Sequence, residues 1–148
     1  MASIEDFEKL VSIEQGLCTV AIGRGDRAPH VTVVNAGVVS HPVNDGSRVA
    51  FVTAGGARKL DLLRRNPELA ITIRAGWRWV TVEGTAELVG PDDPHPGVDD
   101  DRLRLLLRSI FVAAGGTHED WDNYDRTMRD ERRTAVLVAA DHAYSNPS

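Results

Sequence analysis

Two cations sit where a helix would be better served by acids. In the stretch 49–74, VAFVTAGGARKLDLLRRNPELAITIR, an apolar, β-branched run ends at Thr53 and breaks at Gly55-Gly56. A helical pattern then runs to Arg65, and Asn66-Pro67 returns the chain to a strand. Arg64 and Arg65 fall in the last helical turn, where positive charge suits the dipole, but Arg58 and Lys59 fall in the first turn and oppose it. A glycine turn that feeds a helix N-terminus with free backbone N–H groups and two cations can hold a phosphate. The plain alternative is a solvated basic surface on a short helix.

Trp77-Arg78-Trp79 is the second stretch with chemical potential. The chain has three tryptophans among only 5% aromatic residues. Two of them this close together at a strand start could form a flat apolar wall for a planar ligand, or could pack in a core or a dimer contact. Trp121, Tyr124 and Met128 have helical spacing, which favours packing. Tyr144 and Asn146 lie in a polar tail that is either unstructured or contributed to a neighbour's site.

Other chemistries lack their patterns. His118-Glu119 opens HEDWD, without the second histidine one turn later that zinc proteases need. The five histidines (30, 41, 95, 118, 142) show no ligand spacing and read as surface or turn residues, so no metal is expected. Ser40-His41 and Ser145 have no acidic partner at a recognisable spacing, and no catalytic acid, base or nucleophile is identified. Gly23-Arg24-Gly25 and Gly55-Gly56 match neither a Walker nor a dinucleotide fingerprint.

Composition narrows the setting. With 22 acidic against 17 basic residues, a net charge of -5 argues against a nucleic-acid partner. A single cysteine, Cys18, excludes an internal disulfide and reads as a small buried hydrophobe. No apolar run reaches membrane-span length and MASIEDFEKL is acidic where a signal peptide is basic, so a cytoplasmic protein without a membrane partner is expected. The 148 residues suit one domain, spanning 1–148.

The elements that must position these residues follow from pattern. Ser3 caps a first helix with Ile4, Phe7, Leu10 and Val11 on one face. Strands are expected at Leu17–Gly23, His30–Val39 and Arg48–Thr53, with turns at Arg24–Arg27 and His41–Gly46. Trp79–Val89 alternates cleanly, with Val80, Val82, Gly84, Ala86 and Leu88 on the dry face and Trp79, Thr81, Glu83, Thr85 and Glu87 opposite. The small Gly84 and Ala86 imply a close approach or a bend, as in a small barrel. Pro91–Gly97 is a loop. Asp99, Asp100 and Asp101 then start a helix carrying Leu103, Leu106, Leu107, Ile110 and Phe111, and Thr117 caps another from His118 to about Glu131. A last strand covers Thr134–Ala140. The fold class is α+β, a six-stranded antiparallel barrel with peripheral helices.

In this order, the segments APHVTVVN, FVTAGGARKLDLLRRNP, WRWVTVEGTAELV, HEDWDNYDRTMRDERRTAVLV and AYSNP resemble the split β-barrel proteins of the pyridoxamine-phosphate-oxidase-like superfamily. More narrowly, the chain is similar to their actinobacterial branch of deazaflavin (coenzyme F420)-dependent oxidoreductases. The resemblance implies a homodimer with a flavin or deazaflavin in clefts at its interface. Thr53, Arg58 and Lys59 match positions that contact the cofactor phosphate. Asn35, Trp77, Trp79 and Val80 match strand positions near the ring or tail, and Tyr144 and Asn146 match a terminal segment lining the site. Ring contacts in the family are largely backbone. The implied activity is hydride transfer from reduced F420 to a conjugated small-molecule substrate, biliverdin- or quinone-like, with Arg64, Arg65 and Arg78 available to the carboxylates of the F420 tail. An FMN-dependent oxidoreductase and a non-catalytic F420 or flavin carrier are the alternatives.

Overall fold

The computed structural model describes residues 2–147; Met1 and Ser148 lie outside the described residues. The first helix, α1 (Ile4–Glu14), is fixed at its start by a reciprocal cap. The Ser3 hydroxyl accepts the Asp6 N–H, while the Asp6 carboxylate accepts the Ser3 N–H at 3.0 Å. Its apolar stripe, Phe7, Leu10 and Val11, is buried.

Six strands follow: β1 (Leu17–Ile22), β2 (His30–Ser40), β3 (Ser47–Thr53), β4 (Glu68–Ala75), β5 (Arg78–Val89) and β6 (Thr134–Ser145). They close into a barrel in the order β1-β2-β3-β6-β5-β4. All neighbours are antiparallel, so one end of the barrel gathers Ile22, His30, Thr53, Thr134, Val89 and Glu68. The starts of β1 and β5 and the end of β6 lie at the opposite end. Helix α2 (Arg58–Arg65) joins β3 to β4 and therefore crosses the first end. Its Leu60, Leu62 and Leu63 enter the same core as Val20, Ile22, Ile71 and Val82. Each such leucine contributes about 1.5–3 kcal/mol by leaving water.

Helices α3 (Asp100–Ala113) and α4 (Trp121–Asp130) lie outside the barrel. Asp99 caps α3 by accepting the Arg102 N–H at 2.8 Å. Leu106, Leu107 and Ile110 of α3 bury Ala50, Ala135 and Leu137 on the outward sides of β3 and β6. The expected acidic start of α3 is thus a helix cap.

The close approach expected at Gly84 is present. The β5–β6 register shifts between Glu83 and Gly84, and a Cβ at Gly84 would stand 2.1 Å from the Ala139 carbonyl oxygen. Three expectations change. Strand β6 runs on past Ala140 to Ser145, because the bulge lets Ala143 to Ser145 pair with Val82 to Val80. Helix α4 begins at Trp121 with Asp120 as its cap, because His118 is drawn into an aromatic cluster and its Nδ1 accepts the Asp120 N–H at 3.0 Å. Thr81, placed on the wet face by alternation, is buried with its hydroxyl 2.6 Å from that of Thr72.

Candidate functional site

At the α2 end of the barrel the sequence sets two cations beside a glycine turn. Gly55 must be glycine because the backbone of Arg132 presses on it: a Cβ there would lie 2.7 Å from the Arg132 carbonyl oxygen. The Gly55 N–H donates to the Glu131 carbonyl at 3.0 Å, tying the turn to the end of α4. Gly56 adopts a left-handed φ of +83°, and the space where its side chain would stand is empty. Helix α2 then starts at Arg58 with no side chain capping it, which leaves its first N–H groups available. Among the described residues, neither Arg58 nor Lys59 has a carboxylate within ion-pairing distance. Burial holds the Lys59 ammonium below its ordinary value. Thr53, at the end of β3, is buried opposite Thr134.

The remaining cations of α2 are committed elsewhere. Arg64 donates to both oxygens of Asp93, from Nε at 3.0 Å and Nη2 at 2.6 Å, and also reaches Asp61. That bidentate pair removes Arg64 from the cations available to a ligand. Arg65 and Arg78 are exposed and form no ion pair among the described residues.

The opposite end carries the aromatic residues. Trp77 is 92% exposed in the β4–β5 turn, and Trp79 meets Tyr144 edge to face with centroids 6.0 Å apart. Asn146 organises this end through both of its polar atoms. Its Oδ1 accepts the Trp79 N–H at 3.1 Å and its Nδ2 donates to the Trp77 carbonyl at 2.7 Å. The Val80 side chain faces the core, so only its backbone can meet a ligand. Asn35 lies on the outward face of β2 opposite Leu17. With its amide oriented to satisfy both partners, it donates to the carbonyls of Gln15 and Ala114 and ties α1 to α3.

The nine sequence-identified residues therefore fall into separate groups. Thr53, Arg58 and Lys59 are at one end, Trp77, Trp79, Val80, Tyr144 and Asn146 at the other, with Asn35 between. At about 3.3 Å per residue, the 12-residue β6 separates the ends by on the order of 30 Å along the strand. Within one chain they do not converge.

Three side-chain groupings were missed in the sequence. His41 is buried, and its Nε2 stands 2.7 Å from Glu87 Oε1, while His95 Nε2 is 3.4 Å from Glu87 Oε2. His41 does lie in the β2–β3 turn, as expected, but its side chain is buried rather than at the surface. Its Nδ1 accepts the N–H groups of Val43 and Asn44, at 3.1 and 2.9 Å, and the His95 Nδ1 accepts that of Gly97. Both protons are therefore on Nε2, pointing at the carboxylate. A metal would need those Nε2 lone pairs free, so the trio is built as a hydrogen-bonded clasp between the β2–β3 turn and the proline loop. The second grouping extends the expected packing of Trp121 and Tyr124 by Phe111 and His118, beneath Arg108. The third lines a cavity of about 310 Å³ between α3 and α4. Its Arg104, Arg132 and Arg133 are occupied by Asp101, Asp92 and Glu131.

The barrel and its helices align with several solved structures. A conserved hypothetical protein of Mycobacterium tuberculosis superposes with a TM-score of 0.66 over 98% of this chain and 84% of its own, at 20% identity. An F420 reductase gives 0.61 over 93% and 94%, at 16% identity. A FAD-binding protein of Mesorhizobium loti gives 0.58 over 97% and 92%, at 14% identity. At these identities the likeness is one of fold. The sequence profile of the pyridoxamine 5'-phosphate oxidase family matches residues 5–141, nearly the whole of the chain, which therefore belongs to that family.

Proposed function

We propose that this protein is an oxidoreductase that uses reduced coenzyme F420 to transfer a hydride to a conjugated small molecule, with each cofactor held between two copies of the chain. The observation that carries this reading is the pair Arg58 and Lys59, unpaired among the described residues at the uncapped start of α2. A cofactor phosphate fits there. It would take the first N–H groups of the helix, both side-chain charges and the open space over Gly56.

The second copy is supported by an outward face that one chain leaves bare. Leu17, Val31 and Val33 are 60%, 56% and 68% exposed, and the β1–β2 register places them on one side of the ribbon. A second copy covering this apolar stripe about a two-fold axis that crosses the barrel, rather than one that runs along it, would bring a partner's aromatic end to the cation end of the first.

When bound, the reduced deazaflavin supplies two electrons as a hydride. The chain's part is binding, orientation and exclusion of water. Arg58 and Lys59 anchor the phosphate by charge-assisted hydrogen bonds. Thr53 places a hydroxyl at the adjacent strand end. Trp79, braced by Tyr144, and the exposed Trp77 offer faces for a planar ring, and Asn146 fixes the backbone on which both tryptophans stand.

FMN is the second reading, and the Arg64–Asp93 pair favours it, because the longer tail of F420 then has fewer cations to meet. Titration of purified, cofactor-free protein with oxidised F420 and with FMN, followed by tryptophan fluorescence, separates the two. F420 is expected to bind at least tenfold tighter, about 1.4 kcal/mol. Preference for FMN would transfer the assignment to a flavin oxidoreductase, and binding of neither would end both.

A further inference from the structure

The cation end of the barrel holds more charge than the phosphate reading uses. Because β1 and β2 are antiparallel, their connecting hairpin returns to the same end as α2, with Ile22 opposite His30 and Ile22 also opposite Leu69, just after α2. Arg24 lies in this hairpin. Its Nε donates to the Ala28 carbonyl at 2.8 Å, which holds the guanidinium across the turn. Among the described residues Arg24 has no carboxylate within ion-pairing distance, although Asp26 is two residues away. His30 shares the inward-facing side of β2 with Thr32, Val34 and Ala36, which brings it to the barrel mouth that α2 crosses. Its imidazole is held below its ordinary value by partial burial and then by the charges of Arg24, Lys59 and Arg58. The hairpin and the helix therefore bring Arg24, Arg58 and Lys59 to one end of the barrel, near enough for each to act on the His30 imidazole. Asp26 and Asp61 are the acids on the same elements, with Glu68 at the start of β4. Like charges repel unless an anion joins them, and a single phosphate already has Arg58, Lys59 and the helix start.

We infer that Arg24 and His30 form a second anion subsite beside Arg58 and Lys59, selecting a cofactor that carries carboxylates beyond its phosphate. This rests on the F420 reading and deepens it. It moves the tail cations from α2, where Arg64 is consumed by Asp93, to the β1–β2 hairpin. Arg24 supplies the fixed charge. His30 supplies a hydrogen-bond donor whose protonation rises when an anion arrives.

The test is a titration matrix on the intact protein. The variants are Arg24→Ala, Arg24→Lys, His30→Ala, Arg64→Ala and the double variant Arg58→Ala/Lys59→Ala, each titrated with F420 and with FMN. Arg24→Ala and His30→Ala are expected to weaken F420 at least tenfold and to leave FMN within twofold, with Arg24→Lys recovering part of the loss. Arg64→Ala should change neither ligand. In histidine-resolved NMR titrations, the His30 pKa should rise on F420 binding and shift less with FMN. Equal losses for the two cofactors would overturn the subsite by making the hairpin part of the phosphate site. No loss for either would overturn it as well. If the double variant also keeps its affinity for both cofactors, the underlying phosphate reading fails with it; if the double variant loses both, that reading stands without the hairpin.

Discussion

The two ends of the barrel are built on opposite principles. At the α2 end, charges are left without partners while the backbone is held tightly: Gly55 is pinned to Glu131, Gly56 is in a left-handed turn, and Arg58 and Lys59 have no acid. At the other end the amide of Asn146 is satisfied by backbone and the apolar surface is left uncovered. Asn146 uses its amide on the backbone, Tyr144 braces Trp79, and Trp77 stands in solvent. In the proposed function, the phosphate of a ring cofactor would meet the first end and its ring the second. Because β6 separates the ends, in that proposal one cofactor reaches both of them between two copies of the chain.

Removing the free charges should have the largest effect. Arg58→Ala and Lys59→Ala should each weaken cofactor binding by about 1.5–3 kcal/mol, with the thermal midpoint nearly unchanged, since neither charge has a partner to lose. Unchanged affinity in titrations would reduce the cluster to solvated surface.

The aromatic end breaks through its backbone. Gly84→Val would drive a side chain against the Ala139 carbonyl and disturb the bulge that sets the end of β6. A loss of about 1–3 kcal/mol is expected in denaturant unfolding. A wild-type midpoint would mean that the bulge relaxes freely and does not fix the positions of Tyr144 and Asn146.

Asn146→Ala is a milder cut at the same end. It leaves Tyr144 in place and removes two hydrogen bonds, at about 0.5–1.5 kcal/mol each. Ring binding should weaken while inorganic phosphate binding persists, and parallel losses of both would contradict separate ends.

The smallest effect is on pH. Lys59 binds phosphate only when protonated, so its contribution is complete at low pH and disappears as pH rises through its pKa. Burial lowers that pKa, so the loss should begin below the ordinary lysine range near ~10.4. Lys59→Arg should keep affinity flat over the same interval, and an alkaline fall that survives the substitution would assign the titration to another group.

The barrel was legible because its signals are local. Alternation marked β5, Gly84 announced a close approach, and the misplaced charges of Arg58 and Lys59 announced an open helix start. The groupings that sequence reading missed depend on closure of the sheet. His41 and Glu87 are 46 residues apart, and no spacing rule joins them until β2 and β5 are folded. The end of β6 was hidden because Asp141 and His142 interrupt an apolar pattern, and only the bulge restores the pairing. Arg64 looked available because its partner Asp93 sits in a proline loop 29 residues on. Candidate sites therefore read well as residue types and poorly as sets, since barrel closure decides which of them share an end.

The most direct test of sites shared between copies is complementation. The cation-end variant Arg58→Ala/Lys59→Ala and the aromatic-end variant Trp77→Ala/Trp79→Ala would be purified separately, mixed, dissociated and reassembled, and then titrated with F420. Each variant alone should lack tight binding. In a mixed dimer, one site takes its cations and its aromatic residues from the two undamaged halves, so random pairing should restore about one quarter of the wild-type sites. No recovery after confirmed mixing would place both halves of each site in a single chain and contradict the account.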